Sequence, residues 1–93
     1  MRKGIRTLWQ AEQDIEASYE WYESKSIAVA EAFLAELDAS YQRISDHPLI
    51  GSPLGSGVRR LRLRRFPLSL VYTVTDSAVV VVSIVHDRQK RRR

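Results

Sequence analysis

Val58–Arg–Arg–Leu–Arg–Leu–Arg–Arg65 alternates, with Leu61 and Leu63 pointing one way and Arg60, Arg62 and Arg64 the other. A period of two marks a β-strand with one face toward a core. Leu68 to Thr75 repeats the pattern, with Leu70, Tyr72 and Val74 sharing a face. Arg65–Phe66–Pro67 supplies the bend between the two strands, and Thr75–Asp76–Ser77 supplies the next turn. Val79 to Val85 is apolar on both faces except at Ser83, which places it inside or under another layer. These three strands form an antiparallel meander with one apolar face to cover.

The cover lies upstream, where the period is 3.6. Ala11 to Glu23 reads as a helix with Ala11, Ile15, Tyr19 and Tyr22 on one stripe and Glu12, Glu16, Glu20 and Glu23 on the solvated side. Ile27 to Ser45 is a second helix, with Ala30, Phe33, Leu34, Leu37, Tyr41 and Ile44 on its apolar face. Ser24 and Ser26 interrupt the pattern, and either suits an N-cap. Pro48 disfavours helical geometry at His47, so the second helix ends near Asp46. Two helices joined by so short a turn make an antiparallel hairpin. From Pro48 to Gly57, three glycines and two prolines read as loop. Arg2 to Trp9 is a short mixed segment that reads as a first strand. The expected class is α+β, a helical hairpin on an antiparallel sheet.

Ninety-three residues make one domain, expected to span 1–93, with a basic tail over 87–93 that frays. There is no cysteine, which removes disulfides and thiolate metal sites, and two histidines alone make a poor metal set. No metal and no cofactor are expected. No apolar run approaches the length of a membrane span, so a cytoplasmic protein with no membrane partner is expected. The net charge of +4 is divided: nine acids and two bases lie between Ala11 and Asp46, ten bases and two acids between His47 and Arg93.

Arg59, Arg60, Arg62, Arg64 and Arg65 concentrate that charge. Guanidinium groups on one strand face repeat at about 7 Å, a spacing that suits phosphates or the carboxylates of an acidic peptide. Trp21 falls off the apolar stripe of the first helix, which leaves it for a protein interface. His86 ends the last strand and Arg88 follows it; a proton carrier beside a phosphate ligand is the chemistry such a pair offers, though a lone strand-end histidine is more often structural. The glycines between Gly51 and Gly57 lack the lysine and spacing of a phosphate-binding loop.

The order Ala11-x-x-Asp14–Ile15, Tyr19 to Tyr22, Ala32–Phe33, His47–Pro48-x-x-Gly51, Val58–Arg59 to Arg64, Leu70–Val71–Tyr72 and Val85–His86-x-Arg88 resembles the ParE/RelE superfamily of toxins, from about Ile5 to Arg88. The match is closest to the ParE-like branch, often labelled plasmid stabilisation proteins. That resemblance implies a β-α-α-β-β-β fold and the toxin half of a type II toxin–antitoxin pair. The partner it implies is a cognate antitoxin that wraps an acidic, partly disordered segment around the toxin. RelE-like members cut messenger RNA on the ribosome, whereas ParE-like members bind and poison DNA gyrase.

Carrying the nuclease motif over places its basic positions at Arg60, Arg62 and Arg88, with His86 the one candidate proton carrier. The phosphate-holding arginine of that motif falls on Ser69, and the C-terminal tyrosine or histidine of many nucleases has no counterpart. Arginine stays protonated and is a poor general base. The resemblance therefore implies a gyrase-directed toxin whose arginines, with Trp21 and Arg88, bind target and antitoxin. Its alternatives are a metal-independent endoribonuclease acting with ribosome and mRNA, and a non-toxic homologue that binds only its antitoxin.

Overall fold

The computed structural model describes residues 3–87. Seven elements follow one another: β1 (Gly4–Thr7), α1 (Trp9–Glu23), α2 (Ile27–Asp46), β2 (Ser52–Gly55), β3 (Val58–Arg62), β4 (Leu68–Val74) and β5 (Ala78–His86). Among the described residues no helix is long and apolar enough to cross a membrane.

The helices form where the apolar period demands. Ser26 caps α2, its hydroxyl accepting from Val29 N–H at 3.3 Å, while Ser24 instead closes α1 through its own N–H to Glu20 O. His47 N–H bonds Arg43 O at 2.8 Å, and Pro48 stops the helix there. On α1, Ala11 is buried, with Ile15, Tyr19 and Tyr22 packed against the core. On α2 the buried stripe is Ala30, Phe33, Leu37, Ser40 and Ile44. Leu34 departs from the expected face and is 39% exposed, because it lies about 100° around the helix from Phe33.

The sheet order is β1-β5-β4-β3-β2. The expected meander is β3-β4-β5, antiparallel throughout. Two features differ from expectation. The 48–57 segment is not all loop, since β2 pairs antiparallel with β3 as an edge strand. Gly55, Ser56 and Gly57 all take positive φ and form the tight turn of that hairpin, and Pro53 is tolerated because an edge strand leaves one side unbonded. The sheet is also mixed: β1 runs parallel to β5, with Ile5 opposite Val79 and Arg6 opposite Val80. Leu8 N–H bonds Val81 O at 2.9 Å and turns the chain from that edge into α1.

Both helices cover the same sheet face. Its rows are Leu61–Leu70–Ile84 and Arg59–Tyr72–Val81, and Leu70, Tyr72, Val79 and Val81 are completely buried. The opposite face carries the rows Arg60–Val71–Ser83 and Arg62–Ser69–Val85 and, among the described residues, has no helix on it. Between the rows β5 holds a bulge: Val71 pairs with Ser83 but Tyr72 with Val81, leaving Val82 as the extra residue. Asp14 of α1 accepts from Ile84 N–H at 3.0 Å just beyond it.

Candidate partner-binding site

The arginine run is not one surface. Arg59 belongs to the helix-side row, where its Nη1 donates to Leu49 O at 3.1 Å and Gly51 O at 2.7 Å. Tyr72 completes that clasp, accepting from Gly51 N–H and donating to Pro48 O, each at 2.8 Å. Burial pushes the Tyr72 phenol above its usual value, against the Gly51 hydrogen bond and the Arg59 charge, so it remains a donor at neutral pH. Arg59 thus holds the 48–51 segment, which carries the exposed Leu49 and Ile50.

Arg60 and Arg62 share the uncovered face. The Arg60 Nε is buried and has no hydrogen-bond partner among the described residues. Arg62 Nη2 reaches Asp87 Oδ2 at 3.0 Å, and Asp87 Oδ1 accepts from Ser69 Oγ at 2.9 Å. Ser69, where the nuclease motif would have its phosphate-holding arginine, is completely buried beneath this pair. Among the described residues the ion pairs are Arg62–Asp87 and Arg43–Glu36, and each stays within its own half of the charge-divided chain.

Arg64 and Arg65 lie beyond the end of β3, exposed in the turn to β4. Several bonds fix that turn. Leu63 N–H bonds Leu68 O at 2.8 Å, and Asp87 N–H bonds Pro67 O at 2.9 Å. Phe66 packs edge-on against Tyr22 and Phe33, with ring centroids 5.2 and 5.7 Å away. Arg64 N–H donates to Glu36 Oε2 at 2.7 Å, and that oxygen also takes Ser40 Oγ at 3.1 Å and Arg43 Nη2 at 3.2 Å. Burial pushes the Glu36 carboxyl up, but these hydrogen bonds and the Arg43 charge outweigh it and hold the group below the ordinary 4.5. A half-buried carboxylate therefore anchors the arginine turn to α2.

Trp21 is 58% exposed, as its position off the stripe implied, with Lys25 Nζ 4.9 Å from its ring centroid. It borders an open groove of about 700 Å³ whose other walls include Tyr22, Pro67, Leu68 and His86. His86 pairs with Leu68 and lies on the helix side of the sheet. The structure therefore does not assemble the nuclease candidates: His86 is on one face, Arg60 and Arg62 on the other. Arg88 and the rest of the basic tail lie outside the described residues, whereas Asp87, expected to fray with them, is pinned by its bonds to Pro67, Ser69 and Arg62.

The hydrogen bond of Ser69 to Asp87, the clasping role of Arg59, and Glu36 and Ser40 as anchors were missed by reading the sequence. Glu36, Ser40 and Arg43 follow helical spacing, so one side of α2 carries a detectable polar cluster. Nothing local marks Asp87, which meets β3 from 25 residues away.

Comparison with known proteins follows the same lines. The family model described as "ParE toxin of type II toxin-antitoxin system, parDE" matches residues 5–91. A search of curated protein sequences finds no significant match. Among solved structures, the chromosomal ParDE toxin–antitoxin system from P. aeruginosa superposes with a TM-score of 0.77 at 20% identity, over 91% of this chain and 96% of that one. A RelBE toxin–antitoxin complex from Mycobacterium tuberculosis gives 0.62 at 23% identity, over 92% and 99%. The E. coli DinJ–YafQ toxin–antitoxin complex gives 0.66 at 11% identity, over 96% and 97%. These likenesses establish a shared fold, and the family match over nearly the whole length establishes more: the chain belongs to the ParE toxin family of type II toxin–antitoxin systems.

Proposed function

We propose that this chain poisons DNA gyrase by binding it in the cytoplasm, and that a cognate antitoxin neutralises it by laying an acidic segment along the arginines. Binding, not RNA cleavage, is the activity of this reading. The observation that carries it is the separation of His86 from Arg60 and Arg62 by the thickness of the sheet. Transesterification at an RNA phosphate needs a proton carrier and a phosphate-stabilising cation around one reacting centre. Here His86 lies off the arginine face, the Asp87 carboxylate on that face is held by Arg62 and Ser69, and the position of the phosphate-holding residue is a buried serine.

Arg64 and Arg65 on the turn, Arg60 and Arg62 on the open face, and Trp21 at the groove are the contacts assigned to partners. Arg88 is assigned with them from its place in the family motif.

Purified protein added to gyrase tests the reading. Loss of supercoiling with accumulation of cleaved DNA is the expected result; unchanged supercoiling and cleavage would remove the gyrase assignment. Mapping transcript 5′ ends after brief induction is the complementary assay, and codon-positioned cuts would install ribosome-dependent cleavage in its place. Harmless overexpression would leave an antitoxin-binding homologue.

A further inference from the structure

The arginine face contains an acid of its own. Asp87 places one carboxylate oxygen on Ser69 Oγ at 2.9 Å and the other on Arg62 Nη2 at 3.0 Å. A hydroxyl and a guanidinium thus divide a carboxylate between them, while Arg60 Nε, in the next row of the same face, is buried without an acceptor among the described residues. We propose that Arg62 and Ser69, with Arg60 beside them, form a binding site for a partner carboxylate, and that Asp87 fills this site when the chain is alone. The proposal rests on the acidic-partner reading above and names the residues and the internal competitor through which it operates.

Exchange at this site is inexpensive. The Arg62 side chain is 66% exposed, so an incoming acid reaches it directly, and although the Asp87 side chain is only 19% exposed, the incoming carboxylate replaces its bonds to Arg62 and Ser69. The backbone of Asp87 is held separately through its N–H to Pro67 O, so the carboxylate is released by a side-chain rotation with the strand end in place. What the incoming ligand adds is an acceptor within reach of Arg60.

Arg60 and Arg62 repeat at about 7 Å along β3, and acids at alternate positions of an extended peptide repeat at the same distance. The neighbours in these rows are Val71, Val85, Ser69 and Ser83. Valines suit the intervening apolar side chains of a peptide, whereas single-stranded RNA binding relies on aromatic platforms, which these rows lack. The occupant is therefore an extended acidic peptide segment with alternating carboxylates.

A fluorescein-labelled dodecapeptide alternating glutamate and valine is the probe, read by anisotropy at low salt, with a glutamine–valine peptide and a twelve-nucleotide RNA alongside. Asp87→Asn tightens the glutamate peptide by about three- to fivefold, the worth of one ion pair exposed on its arginine side. Asp76→Asn, which removes an acid from a distant turn, leaves the affinity unchanged. In an Arg62→Gln background the gain from Asp87→Asn disappears. In the unaltered chain, the side-chain carboxyl carbon resonance of Asp87 shifts as peptide is added, a readout that needs no variant.

An equal gain from Asp76→Asn, a gain that persists without Arg62, weaker binding by Asp87→Asn, or an unmoved Asp87 resonance would overturn the site while leaving the acidic-partner reading intact. A larger gain for RNA than for the glutamate peptide would overturn the peptide as occupant. Failure of every form to bind the glutamate peptide would overturn both the site and the reading beneath it.

Discussion

Gly51→Ala should unfold this protein more readily than any exposed substitution, and the structure says why. A Cβ built at Gly51 meets Tyr72 Oη at 2.7 Å, Arg60 O at 2.9 Å and Tyr72 Cε1 at 2.9 Å. Tyr72 cannot swing aside, being completely buried and bonded at its hydroxyl to Gly51 N–H and Pro48 O. The Arg60 carbonyl belongs to β3, which pairs on both sides. The 48–51 segment must therefore back away, which lengthens the Gly51–Tyr72 bond and the 2.7 Å Arg59–Gly51 bond. Overpacking a tight site costs about 1–3 kcal/mol, and each hydrogen bond lost about 1 kcal/mol. A net loss of about 2–3 kcal/mol is expected, after the small gain from a stiffer unfolded chain. For a domain of this size that lowers Tm by about 10–20 °C. Urea unfolding followed by circular dichroism would show it as a lower midpoint at unchanged slope. Tyr72→Phe removes the nearest atom in the clash, so the double variant loses less than the sum of the two single losses, by about 1 kcal/mol or more. A midpoint shifted by less than about 0.5 kcal/mol, or strictly additive losses, would refute the clasp as described.

Glu36→Gln should cost about 1–3 kcal/mol at neutral pH, since it weakens three hydrogen bonds to a largely buried oxygen. Because the folded carboxyl sits below the ordinary 4.5, its stabilisation is complete above that value and fades as pH falls through the lower folded value. Urea midpoints of the two proteins should therefore converge on acidification, and a constant gap would count against the assignment. Asp14→Ala should cost about 1.5–3 kcal/mol by stripping Ile84 N–H beside the bulge of a charged acceptor, with amide exchange accelerated locally around Ile84. Arg65 holds φ 67, a left-handed conformation that costs a residue with a Cβ about 1 kcal/mol. Arg65→Gly should leave Tm unchanged or slightly raised while removing one charge from the turn, so weaker antitoxin capture by that variant reports binding and not folding.

Much of the fold was legible because burial imposes periodicity. Helix α2 was bounded by chemistry that acts locally, a serine cap and a proline stop, and it appears within a residue of expectation. The meander was equally readable, since Leu61, Leu70 and Tyr72 must share a face to reach the core. What failed was what depends on distant partners. Strand β2 was hidden because Gly55 and Gly57 read as loop when their role is to turn a hairpin, and an edge strand with every residue exposed has no apolar alternation to detect. The parallel pairing of β1 is invisible for a related reason. Four residues carry too little pattern to fix direction, and the pairing is set by the open edge of β5.

The site was legible as a concentration of charge and illegible as a set of roles. Five arginines within seven residues resembled one binding surface because sequence lists side chains without their cross-strand neighbours. In the fold, strand alternation sends Arg59 to the helix side, where loop carbonyls occupy it, and Arg60 and Arg62 to the open face. Register then sets Arg62 opposite Ser69, and the chain end after β5 delivers Asp87 to both. The end of β3 puts Arg64 and Arg65 beyond the sheet on a turn that Glu36 and Phe66 hold rigid. Affinity for an acidic partner therefore cannot scale with the number of arginines in the run. One of them already serves the fold, one is shared with an internal carboxylate, and those on the turn are presented by a scaffold anchored to α2 through Glu36 and to both helices through Phe66.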